Sequence, residues 1–272
     1  MSMLGIPVGT GGSSALAVAL QAAYLAGPLL RERFLGPKEV TEKSRGNLVT
    51  DVDLLVEQQV LALLRAEFPA FRILSEESPA VESDSDYIWI VDPLDGTRNY
   101  ASGVPHFAFN IALAKAEDVL LGLTYDPVRE ELFLAIKGRG ATLNGRPLSV
   151  SRHTDILQCL LGFDMGYSDE RARKALQLIQ GLWPGMQSIR VLGSAALGLA
   201  YAAAGRLDLY FHHNIYPWDI TPGLLLVREA GGQVVDRQGR PARVQTDGVI
   251  ASSHLLLERF LQVTEGSPWR QM

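Results

Sequence analysis

A chain of 272 residues, 47% hydrophobic and 20% charged, can bury a sizeable core and has the composition of a globular enzyme, not of a disordered or fibrous protein. Its net charge of −5, with no Lys/Arg-rich run, argues against a general nucleic-acid-binding surface. A single cysteine, Cys159, excludes an intramolecular disulfide and a thiolate metal cluster; this suits a reducing compartment, and a cytoplasmic location is the expectation.

The first dozen residues, rich in Gly and Ser, are expected to form a loose tail. The Ala/Leu-rich stretch 14–34 is predicted to be a helix packed on a core. It has no charged region ahead of it and is interrupted by Gln21 and Gly27-Pro28, so it reads as neither a leader nor a membrane span. Gly36-Pro37 stops it. The polar run 39–47 is predicted to be a mobile loop, from which Lys43 and Arg45 could close over a site; the bland alternative is a solvated loop. Thr50-Asp51 can cap a helix over 53–67, whose apolar face is Leu54, Val60, Leu61 and Leu64. A short strand, 71–74, runs into Ser75-Glu76-Glu77-Ser78, and 81–86 is an acidic loop.

The next segment carries the most chemistry. The apolar run 87–91 reads as a buried strand, and it is followed at once by Asp92-Pro93-Leu94-Asp95-Gly96-Thr97. Ionised carboxylates at the end of a core strand are expensive unless a positive charge sits with them, and a hard divalent cation with oxygen ligands, such as Mg2+, is the natural partner. Gly96-Thr97 can offer backbone N–H groups to an anion. The bland alternative is an Asp-rich turn. The Asp-x-x-Asp spacing is out of register with the Asp-x-Asp pair of haloacid-dehalogenase-type phosphatases.

Strands are predicted at 106–114, 119–125 and 131–136, with Asn144-Gly145 as a hairpin turn. A strand at 157–162 precedes an amphipathic helix at 169–182. Residues 190–194 lead into an Ala-rich helix, 195–204, then a strand, 207–211. A helix at 217–230 ends at Gly231-Gly232, short strands follow at 233–235 and 249–251, and a last helix spans 255–263. The expected architecture is α/β (α+β): an N-terminal lobe, 1–150, with a mostly antiparallel sheet, and a C-terminal lobe, 151–272, sharing one cleft, with the sheets between helix layers.

Asp53, Glu76, Asp92, Asp95 and Asp219 all fall at ends of predicted elements. Taken singly, Asp53 and Asp219 are read as helix caps and Glu76 as a loop acid. Together, the sequence resembles the inositol monophosphatase family of Mg2+-dependent, Li+-sensitive phosphomonoesterases. The resemblance runs from about residue 14 to about 264. It rests on Leu48-Val49-Thr50-x-x-Asp53-x-x-Val56-Glu57 with Glu76-Glu77-Ser78, on 89–100 with Pro105-His106-Phe107, and on Trp218-Asp219 with Glu229-Ala230-Gly231-Gly232. A weaker block is Leu192-Gly193-Ser194-Ala195-Ala196.

The resemblance implies a layered α/β/α/β/α sandwich and a homodimer. It implies Glu76, Asp92 and the Leu94 carbonyl as ligands of a first Mg2+, Asp92, Asp95 and Asp219 as ligands of a second, and a third ion leaning on Glu76. Thr97 would orient the attacking water, Asp53 would partner Thr97, and the N–H groups around Gly96 and Thr97 would cradle phosphate. Such cations lower the pKa of water and stabilise the leaving oxygen. Gly193, Ser194, Ala195 and Asp219 would meet the substrate, an inositol monophosphate or a related sugar phosphate. His212 departs from the pattern, standing where many members carry an acid that bonds inositol hydroxyls. His212 and His213 point to opposite faces of a strand and are not read as one metal site. Arg190 and Phe163-Asp164 are further pocket candidates, and His106 is read as structural. The alternatives are a fructose-1,6-bisphosphatase-like or nucleotide 3′-phosphatase activity, and a non-enzymatic regulator that binds RNA or protein.

Overall fold

The computed structural model describes residues 5–272. In chain order the elements are α1 (Ala15–Arg33), β1 (Val40–Ser44), β2 (Asn47–Thr50), α2 (Asp51–Glu67), β3 (Arg72–Ser75), β4 (Tyr87–Asp95), α3 (Thr97–Ala101), β5 (Ala108–Lys115), β6 (Asp118–Asp126), β7 (Glu131–Ile136), β8 (Ala141–Leu143) and β9 (Arg146–Pro147). They continue with β10 (Leu160–Phe163), α4 (Asp169–Leu182), β11 (Ser188–Val191), α5 (Ala195–Ala203), β12 (Leu209–His212), α6 (Pro217–Glu229), β13 (Gln233–Val235), β14 (Val249–Ser252) and α7 (His254–Val263). Among the described residues no helix is long and apolar enough to cross a membrane.

Three apolar clusters build five layers. The first sheet runs β3-β4-β5-β6-β7-β8-β9, parallel only between β3 and β4. One face of it packs on α1 and α2; on α1 the alanines Ala19, Ala22, Ala23 and Ala26 are buried and allow close approach. Its other face packs on α5 and α6, which also cover a second sheet, β11-β10-β12-β14-β13. The far face of the second sheet packs on α4 and α7 through Ala175, Leu178, Leu256, Phe260 and the stacked pair Phe163 and Phe211. The result is the α/β/α/β/α sandwich expected from the sequence.

Close contacts explain two of the small residues. A side chain at Gly122 on β6 would collide with the backbone of Pro222 on α6, 2.8 Å away. One at Gly27 on α1 would enter the ring of Tyr125.

Three expectations need correction. Residues 1–4 of the expected tail lie outside the described residues, but 5–12 are not loose. Thr10 donates from its backbone N to Glu67 O at 2.8 Å and from its hydroxyl to Ala66 O at 2.9 Å, satisfying carbonyls that end α2. The expected loop at 39–47 is an antiparallel hairpin, β1 with β2. Every residue of β1 is exposed, so no apolar alternation announced it. Residues 188–191 form the edge strand β11, not only a lead-in to α5.

Candidate active site and metal centre

Asp92 and Asp95 are three residues apart, which in a regular strand would place them on opposite faces. β4 is not regular there. Asp92 opposes Asn110 and Asp95 opposes Ala108, so three steps on β4 match two on β5. This bulge turns both carboxylates to one side. Asp219 arrives from the first turn of α6, where Pro217 takes the first helical position and Asp219 Oδ2 accepts from Tyr216 N at 2.7 Å. Ligand atoms of Asp92, Asp95 and Asp219 lie within 4.8 Å of one another.

Each of these carboxylates spends one oxygen on the protein. Asp92 Oδ1 accepts from Leu94 N at 3.0 Å. Asp95 Oδ2 accepts from the Ser194 hydroxyl and from Ala196 N, the latter at 3.1 Å. Asp92 Oδ2 is buried with no hydrogen-bond partner among the described residues. Burial first, then Glu76, Asp95 and Asp219, push the Asp92 carboxyl well above the usual range. Burial pushes Asp95 up to about 7 against its hydrogen bonds, and burial with Asp95 and Glu76 raises Asp219. An orphaned buried oxygen among converging hard donors fits a hard divalent cation.

The other expected residues surround this centre. Thr97 opens α3 after Gly96, whose φ of 89° is left-handed and suits glycine. Its hydroxyl is 2.9 Å from Leu94 O and 3.2 Å from Asp53 Oδ1, and can donate to either. Asp53 is fully buried, and Oδ2 accepts from the Thr50 hydroxyl and from Thr50 N, a capping box on α2. Burial pushes its carboxyl up to about 7 despite those bonds. The capping and catalytic readings of Asp53 therefore coexist, one oxygen for each.

Glu76 is outside the three-carboxylate group. Its charge nevertheless does more than any other to raise the Asp92 carboxyl, after burial. Lys43, from the hairpin, lies 3.1 Å from Glu76 and 2.6 Å from Glu77. The turn carrying both acids hangs on Glu57, a residue the sequence reading quoted without giving it a task. Glu57 is 3% exposed and accepts from the Ser75 and Ser78 hydroxyls and from Glu77 N. The signal was available: an acid four residues after Asp53, on the apolar face of α2 between Val56 and Val60. Glu57→Ala is expected to destabilise the fold by about 2–4 kcal/mol, because three donors lose their acceptor. It should also weaken cation binding. Urea melts and a Mg2+ titration check this, and an unchanged melt would mean that the turn holds itself.

A cleft of about 200 Å³ opens beside the carboxylates. Of the expected substrate residues, Gly96, Thr97, Gly193, Ser194, Ala195, His212 and Asp219 line it, and so does Asp164. Arg190 does not line it; its guanidinium bonds Ser188 Oγ and Ile189 O on its own strand. Asp164 holds the Gly193 turn, accepting from Leu192 N at 2.8 Å, from Gly193 N and from the Tyr210 hydroxyl at 2.8 Å. Asn99 ties that turn to α3 by donating to Leu192 O and His106 O, both at 2.8 Å. Arg98 bridges the hairpin at Gly46 O to the far wall, its guanidinium 4.5 Å from the Tyr167 ring centre. Sequence reading assigned Arg98, Asn99 and Tyr167 no role, since nothing local links Arg98 to Gly46 or Asn99 to Leu192, 52 and 93 positions away. His106 is buried beside Tyr201, with its pKa lowered to about 4 by burial first, as suits a structural residue.

Comparison with known proteins agrees with this arrangement. The model of the inositol monophosphatase family matches residues 13–268. Inositol monophosphatase 1 of Solanum lycopersicum is 34% identical over 261 residues, 93% of this chain and 96% of that protein. Nus factor SuhB of Pseudomonas aeruginosa is 39% identical over 246 residues, 88% of this chain and 91% of that one. The crystal structure of extragenic suppressor protein suhB from Bartonella henselae superposes with a TM-score of 0.88 at 33% identity, covering 92% of this chain and 98% of the other. On the extent of these matches the chain belongs to the inositol monophosphatase family, and its class is phosphoric monoester hydrolase.

Proposed function

We propose that the protein hydrolyses a small phosphomonoester, an inositol monophosphate or a related sugar phosphate, in a Mg2+-dependent reaction in which water attacks phosphorus. The observation that carries this reading is the buried, unpartnered Asp92 Oδ2 beside Asp95 and Asp219, the latter two lining the cleft. In this reading Asp92, Asp95, Asp219, Glu76 and the Leu94 carbonyl hold two Mg2+ ions, with a third leaning on Glu76. When bound, the cations supply Lewis-acid charge for the phosphate and lower the pKa of water. Gly96 and Thr97 present backbone N–H groups to the phosphate. The Thr97 hydroxyl orients water, and Asp53 Oδ1, 3.2 Å behind it, takes up the proton. Burial raises the Asp53 carboxyl above the usual carboxylate range, which favours its taking a proton.

The lobes 1–150 and 151–272 act as one unit in this reading, since α5 and α6 pack on both sheets. We place the enzyme in the cytoplasm as a homodimer; exposed Leu157, Leu176 and Trp183 near the edge strand β11 support a covered surface there. A second reading, a regulator that works through an RNA or protein partner, draws on the relatives called Nus factors. Intact carboxylates favour catalysis.

Phosphate release from a panel decides the matter: inositol 1-phosphate, fructose 1,6-bisphosphate, histidinol phosphate, AMP and 3′-phosphoadenosine 5′-phosphate. Release is expected with Mg2+, and should vanish with chelator and fall when Li+ is added. No release from any ester while Mg2+ is bound would falsify the enzymatic reading.

A further inference from the structure

Arg98 stands in the first turn of α3, next to Thr97, and its exposed side chain lines the cleft. Among the described residues its guanidinium is paired with no carboxylate. It spends its N–H groups on two backbone carbonyls instead. Nε donates to Gly46 O at the tip of the β1–β2 hairpin, and Nη1 donates to Gly166 O at 3.4 Å. The face of the same group lies 4.5 Å from the centre of the Tyr167 ring. Gly46 makes room for this contact. Its φ of 69° is left-handed, and a Cβ there would collide with Arg98 Nη2.

Gly166 and Tyr167 line the cleft too, in a segment, 164–168, that belongs to no helix or strand. Its place is therefore set by contacts and not by a ladder of backbone bonds. One contact is the bond from His213 Nε2 to Met165 O at 3.1 Å. The others are the carbonyl bond and the stacked ring at Arg98. The Tyr167 hydroxyl has no hydrogen-bond partner among the described residues, so the ring is held by what packs on its faces. Arginine suits this task. Its plane can rest on a ring while its edges donate, and the ammonium of a lysine cannot do both.

We infer that Arg98 is a positioning residue that joins the hairpin tip to the Gly166–Tyr167 turn and so holds the cleft wall against which the leaving group packs. This inference rests on the phosphomonoesterase reading above and adds to it the part of the chain that sets the leaving-group wall. It gives Arg98 no contact with the phosphate being transferred, since the edges of the guanidinium are turned to Gly46 and Gly166. The wall counts for an ester whose leaving group extends along the cleft. It does not count for inorganic phosphate, which needs only the carboxylate centre and the N–H groups of Gly96 and Thr97.

The test measures the fastest ester of the panel as substrate and inorganic phosphate as its competitor, with Mg2+, in the native enzyme and in variants. Arg98→Ala should raise KM for the ester by about tenfold, keep kcat within about twofold and leave the inhibition constant of phosphate unchanged. Arg98→Lys should behave like Arg98→Ala, because it keeps the charge and loses the stacked fork. Tyr167→Ala should raise KM as well, and the double variant should be no worse than Tyr167→Ala, since Arg98 acts through that wall. Amides of 44–47 and 165–168 should exchange with solvent about tenfold faster in Arg98→Ala, while its melting temperature stays within about 2 °C of the native value. Should Arg98→Ala melt early, Arg98→Lys and Tyr167→Ala carry the same comparison. A raised inhibition constant for phosphate, recovery in Arg98→Lys, additive effects in the double variant, unchanged KM or unchanged exchange each overturns the inference and leaves the phosphatase reading intact. No release from any ester, with Mg2+ bound, overturns both.

Discussion

Replacing Asp92 by Asn is expected to lower Mg2+-dependent phosphate release by about a thousandfold or more while raising the melting temperature of the cation-free protein. The two effects share one cause. Asp92 Oδ1 accepts from Leu94 N, and an Asn carbonyl can keep that bond. The amide nitrogen then takes the place of the buried, unpartnered Oδ2. It can donate towards Asp95 and Asp219, whose charges it no longer repels. A carboxylate that would hold the cations is lost, and a buried repulsion is lost with it. Most substitutions that abolish activity in a core strand also destabilise. A variant that loses activity and gains stability therefore marks a residue kept for a ligand. Phosphate release and thermal melts in chelator check both halves. Retained activity would sink the cation assignment at Asp92, and a lowered melting temperature would show that the three acids do not repel one another in the absence of a cation.

The cation-free protein should also lose stability as pH rises from about 4 through about 7, and Mg2+ should restore it. The buried acids hold their protons more tightly in the fold than in the unfolded chain, with Asp95 and Asp53 pushed up to about 7 by burial first and Asp92 and Asp219 raised likewise. A carboxyl of raised pKa stabilises the fold below its unfolded value, and that contribution is lost as pH climbs through the folded value. Between those limits the folded chain binds more protons, so the slope is negative. The ionised cluster costs the fold on the order of 4 kcal/mol, taking Asp95 alone from 3.8 to about 7. Bound Mg2+ removes that cost at high pH and displaces protons on binding. Melts at pH 5 and pH 8, with chelator and with Mg2+, should show a Mg2+ stabilisation on the order of 5 °C larger at pH 8. Equal stabilisation at both pH values would mean that the acids are ionised in the empty fold.

The centre was legible where chemistry and position lie in one run of sequence. An apolar strand ending in Asp92-Pro93-Leu94-Asp95 carries its own argument, and Pro217-Trp218-Asp219 carries a helix start. What puts Asp92 and Asp95 on one side is the bulge against Asn110 and Ala108, and that pairing lies in a partner strand, not in the motif. The hairpin β1–β2 was hidden for a related reason. β1 is exposed along its whole length, and β2 is too short to show a period, so neither alternation nor apolar content marks them. Clamps such as Asn99 on Leu192 and Ser194 on Asp95 span 93 and 99 positions. They arise from how the layers stack, and no local pattern contains them. His212 was visible as a departure, but its ring is held by two backbone N–H groups that only the turn after β12 supplies.

Lys43 gives the hairpin a meaning beyond shape. Its ammonium rests between Glu76 and Glu77, where burial opposes its charge and the two acids more than offset that, raising its pKa. The chain thus carries a tethered counter-ion at a high effective concentration. A divalent ion that uses Glu76 enters by exchange rather than by simple addition, and its apparent affinity includes the work of displacing the Lys43 ammonium. Dissolved monovalent salt competes poorly with a cation already held by its own backbone. Loading of that position therefore depends on how readily the Lys43 side chain leaves Glu76 and Glu77, so a residue of a surface hairpin weighs on metal affinity alongside the ligands themselves.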